Sequence, residues 1–308
     1  MGSSTSQSFK SAYERSALHA GSWYDDDPRR LRTTLDENIR QAEIESFDNV
    51  RALIVPHAGY RYSGPTAAFS YKILHQCLSR QAIRTILVLH PAHHVYLRGC
   101  AVSGASSLQT PLGDLVVDED LRQEILLLND PAFSVMEKSV DEEEHSGEMQ
   151  YPYLAHVIAG RDIKVLPIMC GSLETPQEKL FGEILRAIIA RPEVCTIISS
   201  DFCHWGSRFS YQPTGNSIPI HQFIEQMDRK GMDLIQLKDP GAFASYLKET
   251  RNTICGRHAI AVWLNAVSAS TNNNLEICFV NYAQSSAVTS RKESSVSYAA
   301  AVAFMKEN

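Results

Sequence analysis

Three short apolar-rich runs, at 52–55, 85–89 and 195–199, constrain this chain most, because each lacks polar alternation and each ends at a polar cluster. A strand that reads as continuously apolar is one covered on both faces, which is the habit of parallel sheets. Further strands are expected at 163–169, 275–283 and 295–304, with short strands and turns over 100–117. Helical segments fall between them at 28–41, 65–78, 118–129, 146–159, 176–190, 219–237, 240–249 and 256–268, with Pro65 opening the second. Strands alternating with helices predict an α/β protein, a single three-layer α/β/α domain. An antiparallel terminal strand pair would make the central sheet mixed.

The chain has 308 residues, 44% of them hydrophobic, and no Pro/Gly/Ser-rich linker divides its interior. The polar clusters spread from residue 57 to residue 258, so one domain over 16–308 is expected, preceded by a disordered polar leader over 1–15. The start matches an N-myristoylation pattern, with Gly2 second and Ser6 sixth. A plain polar leader is the preferred reading over membrane association through Gly2. Net charge is −6 and the basic residues are dispersed, which argues against nucleic acid as a partner. The acidic run 141–144 reads as a solvated loop. Seven cysteines without a disulfide spacing, and no apolar run of membrane-spanning length, predict a reducing, cytoplasmic setting.

Chemistry concentrates in four clusters: Pro56-His57-Ala58-Gly59-Tyr60, His90-Pro91-Ala92-His93-His94, Ser200 to Gly206, and Asn252 to His258. In open α/β sheets ligands bind beyond the carboxyl ends of the strands, where three of these clusters begin. His57 is a ligand candidate or a histidine that braces its loop. His93 and His94 point to opposite sides of an extended segment, so one is free to reach a site; His93 is preferred, while His90 reads as structural. Asp201 and His204 form a candidate acid/base pair, or else Asp201 initiates a turn. Cys255 is expected in the first turn of a helix, where the positive helix end favours the thiolate, with His258 on the same face; the alternative is a buried, inert thiol. His145 and Glu148 offer a further pair at helical spacing. Two histidines and an anionic ligand from separate loops form the pattern of open non-haem iron sites, and a cysteine anion widens the choice to iron(II), copper or zinc.

Several longer motifs carry a family likeness: His-Ala-Gly-Ser-Trp-Tyr at 19–24, Pro-His-Ala-Gly-Tyr at 56–60, Glu-His-Ser-Gly-Glu-Met at 144–149, Ser-Ser-Asp-Phe-Cys-His-Trp-Gly at 199–206, Asn-Thr-Ile-Cys-Gly-Arg-His at 252–258 and Asn-Tyr-Ala-Gln-Ser-Ser at 281–286. In this order the chain resembles the Memo family, named for mediators of ErbB-driven cell motility. The resemblance implies a fold like that of the LigB-type extradiol dioxygenases. It also implies metal ligands at His57, His93 and Cys255, and an acid/base role for His204 beside Asp201. Tyr60, His145, Glu148 and His258 complete the pocket candidates. The implied activity is iron or copper binding in redox, cytoskeletal and cell-motility signalling, with receptor-derived proteins or phosphotyrosine peptides as partners. Because Cys255 stands where the dioxygenases supply a carboxylate, ring opening of a catechol-like substrate is the alternative. A third reading is a signalling adaptor whose site is a relic.

Overall fold

The computed structural model describes residues 12–128, 132–215, 217–268 and 274–306, so Gly2 lies outside the described residues. The elements run β1 (Tyr13–Arg15), α1 (Pro28–Gln41), β2 (Val50–Val55), α2 (Tyr60–Cys77), β3 (Thr85–Pro91), β4 (Cys100–Val102), β5 (Ala105–Leu108), β6 (Leu115–Val116), α3 (Glu119–Leu128) and β7 (Phe133–Val135). There follow α4 (Lys138–Glu143), α5 (His145–Glu148), α6 (Tyr151–Val157), β8 (Lys164–Cys170), α7 (Thr175–Ile189), β9 (Val194–Ser199), β10 (His204–Trp205), α8 (Ile220–Gln236), α9 (Pro240–Thr250), α10 (Arg257–Val267), β11 (Leu275–Gln284) and β12 (Ser295–Met305).

Strands β2, β9, β3 and β8 lie side by side in that order, all parallel. Every residue of β3 and β9 is buried, as their unbroken apolar character requires of strands covered on both faces. Antiparallel strands extend this centre: β12 beside β2, β11 beside β12, and β4 beside β8. The result is a nine-stranded mixed sheet. Helices flank it: α1 and α6 pack on α2, which lies against β2 and β12, while α7 and α10 pack together over β9. A separate three-stranded sheet joins β1, β5 and β6. The carboxyl ends of β2, β3 and β9 open on one edge, where the polar clusters converge.

Four local expectations need correction. Tyr13–Arg15, expected within the leader, form a strand that pairs in parallel with β5, and Arg15 is fully buried. Helix α2 starts at Tyr60, so Pro65 sits inside it rather than at its first turn. Tyr60 is secured there by its N–H to the Trp23 carbonyl (2.9 Å) and its hydroxyl to the Met149 carbonyl (2.8 Å). The helix expected over 146–159 is two helices, the second opened by Pro152, whose fixed φ and missing N–H suit a first turn. The acidic run 141–144 is no solvated loop: most of it is helical, and Asp141 and Glu144 are 2% and 1% exposed.

Candidate metal centre

His57 stands one residue beyond β2, after Pro56, and is held from three directions. Its N–H donates to Asp201 Oδ1 (2.8 Å), its Nδ1 lies 2.8 Å from Ser199 Oγ, and its Nε2 lies 3.1 Å from Cys255 Sγ. The proton positions follow from Ser199. Its hydroxyl donates to the Ser146 carbonyl (2.8 Å) and accepts from Gln150 Nε2 (2.9 Å). Having given its own proton to Ser146, Ser199 accepts from His57 Nδ1–H, which leaves Nε2 with a lone pair directed at the thiol. Burial, and then the neighbouring His93 and His145, hold His57 well below the usual imidazole range, so the ring is neutral and ready to act as a ligand.

His93, in the loop after β3, is fixed in the same way by an acidic partner. Its Nδ1 lies 2.8 Å from Glu144 Oε1 and its backbone N–H donates to Glu144 Oε2 (2.6 Å). An imidazole tied through one nitrogen to a carboxylate turns the other nitrogen outward, the arrangement common behind metal-ligating histidines. Burial opposes ionisation of Glu144, but the His93 hydrogen bond and the charges of His93 and His145 overcome it and keep the carboxyl far below its ordinary range. His145 stacks on His93 with ring centroids 4.5 Å apart, and Trp23 lies against the same His145 ring at 4.4 Å. Burial brings the His145 ring down to about 3.

Cys255 is not in a first helical turn. It precedes Gly256, the N-cap of α10, and burial pushes its thiol well above the ordinary range, so the expected helix-stabilised thiolate is not formed by the protein alone. A metal ion at Sγ would supply the charge that ionises it. The loop lies where it does because Gly256 passes close to β9: its N–H donates to Ser200 Oγ (3.1 Å), and a Cβ there would stand 2.5 Å from the Ser199 carbonyl oxygen. The Asp201 N–H points at Cys255 Sγ (3.3 Å). Burial raises Asp201 to about 7 against the pull of the His57 and Ala58 N–H groups.

Among the described residues three sets of donors gather within 4.8 Å: His57, His93 and His145; His57, Asp201 and Cys255; and His94, Glu144 and His145. His57 thus pairs with His93 and with Cys255 in separate groups, and the three expected ligands do not form one set by themselves. The expected Asp201–His204 hydrogen bond is absent. Asp201 serves His57, whereas His204 Nδ1 faces the carbonyls of Phe202 (2.9 Å) and Thr253 (3.2 Å), leaving its Nε2 unencumbered. His258 is drawn away to Glu178 on α7 (2.7 Å). Tyr60 braces the end of α5 through the Met149 carbonyl. Glu148 is a buried anchor that accepts from Arg15 (2.7 Å), Tyr24 (2.7 Å) and the His19 N–H (2.8 Å). His90 is structural, its Nδ1 within 3.1 Å of Ser146 Oγ.

Sequence reasoning passed over Glu144, Ser199, Trp23 and His19. Glu144 had one available signal, an acidic residue directly before a short helix, where its carboxylate accepts from the Ser146 N–H (2.9 Å). The profile of the family described as Memo-like protein matches residues 15–302. The chain belongs to the Memo family. Protein MEMO1 of Xenopus laevis is 42% identical over 291 residues, which is 93% of this chain and 96% of that protein. The human MEMO1 protein is 40% identical over the same shares. The memo-1 homolog of Caenorhabditis elegans is 42% identical over 301 residues, 96% of this chain and 84% of that one. An uncharacterised Escherichia coli K12 protein of known crystal structure shares the fold, with a TM-score of 0.51 at 13% identity over 81% of this chain and 99% of its own. This Memo-family chain has no helix among the described residues long and apolar enough to cross a membrane.

Proposed function

We propose that this Memo-family protein binds iron or copper at His57, with Cys255, Asp201 and His93 as its companions, and acts in redox and cell-motility signalling. The observation that carries the metal reading is the neutral His57 tautomer, with Nδ1–H committed to Ser199 and Nε2 facing Cys255 Sγ at 3.1 Å. Imidazole and thiolate together suit copper(I), iron or zinc better than hard cations. A bound ion would supply electron transfer or Lewis acidity. The chain's own part is to keep His57 unprotonated, to orient His93 through Glu144, and to hold His204 by its Nδ1 so that its Nε2 serves as a proton acceptor. The signalling role rests on family membership, and phosphotyrosine peptides or receptor-derived proteins are the partners proposed with it, in the cytoplasm.

Anaerobic loading of the purified protein with iron(II) or copper(I), followed by metal quantification, tests the reading. His57→Ala and Cys255→Ala should each lower affinity by at least the roughly 10- to 100-fold that loss of an outer partner costs. Wild-type affinity in both variants would remove the metal function and leave the adaptor reading. Oxygen uptake over a catechol panel, above that of free iron, would favour the dioxygenase instead.

A further inference from the structure

The third donor group, His94, Glu144 and His145, shares no residue with the group of His57, Asp201 and Cys255. Three features mark it as more than a crowd of polar side chains. His145 Nδ1 is buried and has no hydrogen-bond partner, although the ring is wedged between Trp23, His93 and His94. That nitrogen faces the Glu144 carboxylate, 3.5 Å from its Oε1. Glu144 accepts three N–H groups, His93 Nδ1–H and the Ser146 N–H at Oε1 and the His93 backbone N–H at Oε2, so its one unclaimed acceptor position is on Oε2. His94, exposed at the mouth, hydrogen-bonds no other described residue and sets its ring edge-on to His145 at 5.8 Å.

We propose that His94, Glu144 and His145 bind a second divalent transition-metal ion next to the centre on His57. Two imidazoles and a carboxylate, without sulfur, fit zinc or iron(II). The orphaned His145 nitrogen gains a partner, and His94 acquires a role that its exposed position otherwise lacks. The His93–Glu144 hydrogen bond then links the two ions, since Glu144 orients a ring of the first group while its spare lone pair serves the second. Binding at one site is thereby sensed at the other through a single carboxylate. The inference builds on the metal reading above; His145 also stands within reach of His57 and His93, but His94 and Glu144 belong to this group alone, so it can fail by itself.

Cobalt(II) and zinc(II) titrations of the metal-free full chain, read by bound metal per chain and by the thiolate-to-cobalt charge-transfer band, decide the matter. The wild type should take up two equivalents. His94→Ala, a change at an exposed position, should reduce this to one and keep the thiolate band. Cys255→Ser should lose the band and retain the sulfur-free equivalent. One equivalent in the wild type with the band present, or two equivalents in His94→Ala, overturns the second site and leaves the first intact. No thiolate band in a folded wild type would instead overturn the first.

Discussion

His57 Nε2 and Cys255 Sγ meet at 3.1 Å although 198 residues of chain separate them. The contact depends on two neighbouring strands. Parallel pairing of β2 with β9 sets Val55 beside Ser199, so His57 emerges next to the segment that Gly256 packs against. The histidine and the thiol are therefore held by separate loops whose relative position is set by backbone hydrogen bonds in the sheet.

Ser199→Ala removes the acceptor for both His57 Nδ1–H and Gln150 Nε2. His57 Nδ1–H loses its partner and Gln150 Nε2 keeps only the Pro56 carbonyl, which should cost about 1–3 kcal/mol in urea unfolding. With the tautomer no longer fixed, metal affinity should fall by roughly 10- to 100-fold in a calorimetric titration. An unchanged affinity would mean that Ser199 does not orient the ring.

Gly256→Ala places a methyl group 2.5 Å from the Ser199 carbonyl oxygen and 2.5 Å from Ser200 Cβ, which cannot be relieved without moving the loop. The expected loss is about 1–3 kcal/mol, with a weakened Cys255-dependent metal signal. Gly241→Ala in α9 is the comparison, since its Cβ would meet only Asp239 Oδ1 at 3.4 Å. Its stability in the same denaturant series should match or exceed that of the wild type by up to about 1 kcal/mol.

Arg15 donates to Asp141 Oδ1 (2.9 Å), Glu148 Oε2 (2.7 Å) and the Glu144 carbonyl (3.0 Å) while fully buried. Arg15→Met would strand two buried carboxylates and should cost roughly 3–5 kcal/mol by chemical denaturation. A loss below 1 kcal/mol would show that β1 and its arginine are dispensable to the fold.

Asp228, buried beneath the His204 loop, accepts from Asn252 Nδ2 (2.8 Å), the Tyr282 hydroxyl (3.0 Å) and the Cys203 N–H (3.3 Å). Burial outweighs these donors and raises its carboxyl from 3.8 to about 6. The folded state thus holds a proton that the unfolded chain has released, so this contribution is full below pH ~3.8 and declines as pH rises to about 6, by roughly 3 kcal/mol. The stability of the wild type relative to Asp228→Asn should fall across that window, measured by urea unfolding at successive pH values. A pH-independent difference would refute the assignment.

Much of the sheet was legible in the amino-acid order. The parallel strands at 50–55, 85–91, 164–170 and 194–199 lie within two residues of expectation, because a strand buried on both faces leaves an apolar run that no other element of its length needs. Pro152 shows a local signal overridden by periodicity, since the apolar pattern runs on through 146–159 while the proline starts a new helix. The acidic run misled for a different reason. Asp141 and Glu144 are buried only because Arg15 and His93 arrive from distant segments to compensate them, and nothing within 141–144 announces those partners.

The sequence by itself determined the α/β class, the family and the short list of chemically able residues, since apolar periodicity and residue chemistry are local properties. Tertiary structure alone decided how those residues divide. It set His57 against Cys255, detached Asp201 from His204, sent His258 to Glu178 and brought in Ser199 and Glu144 as the groups that orient the imidazoles. Hydrogen-bond partners separated by tens to hundreds of residues depend on strand register and loop closure, and only the folded chain specifies these.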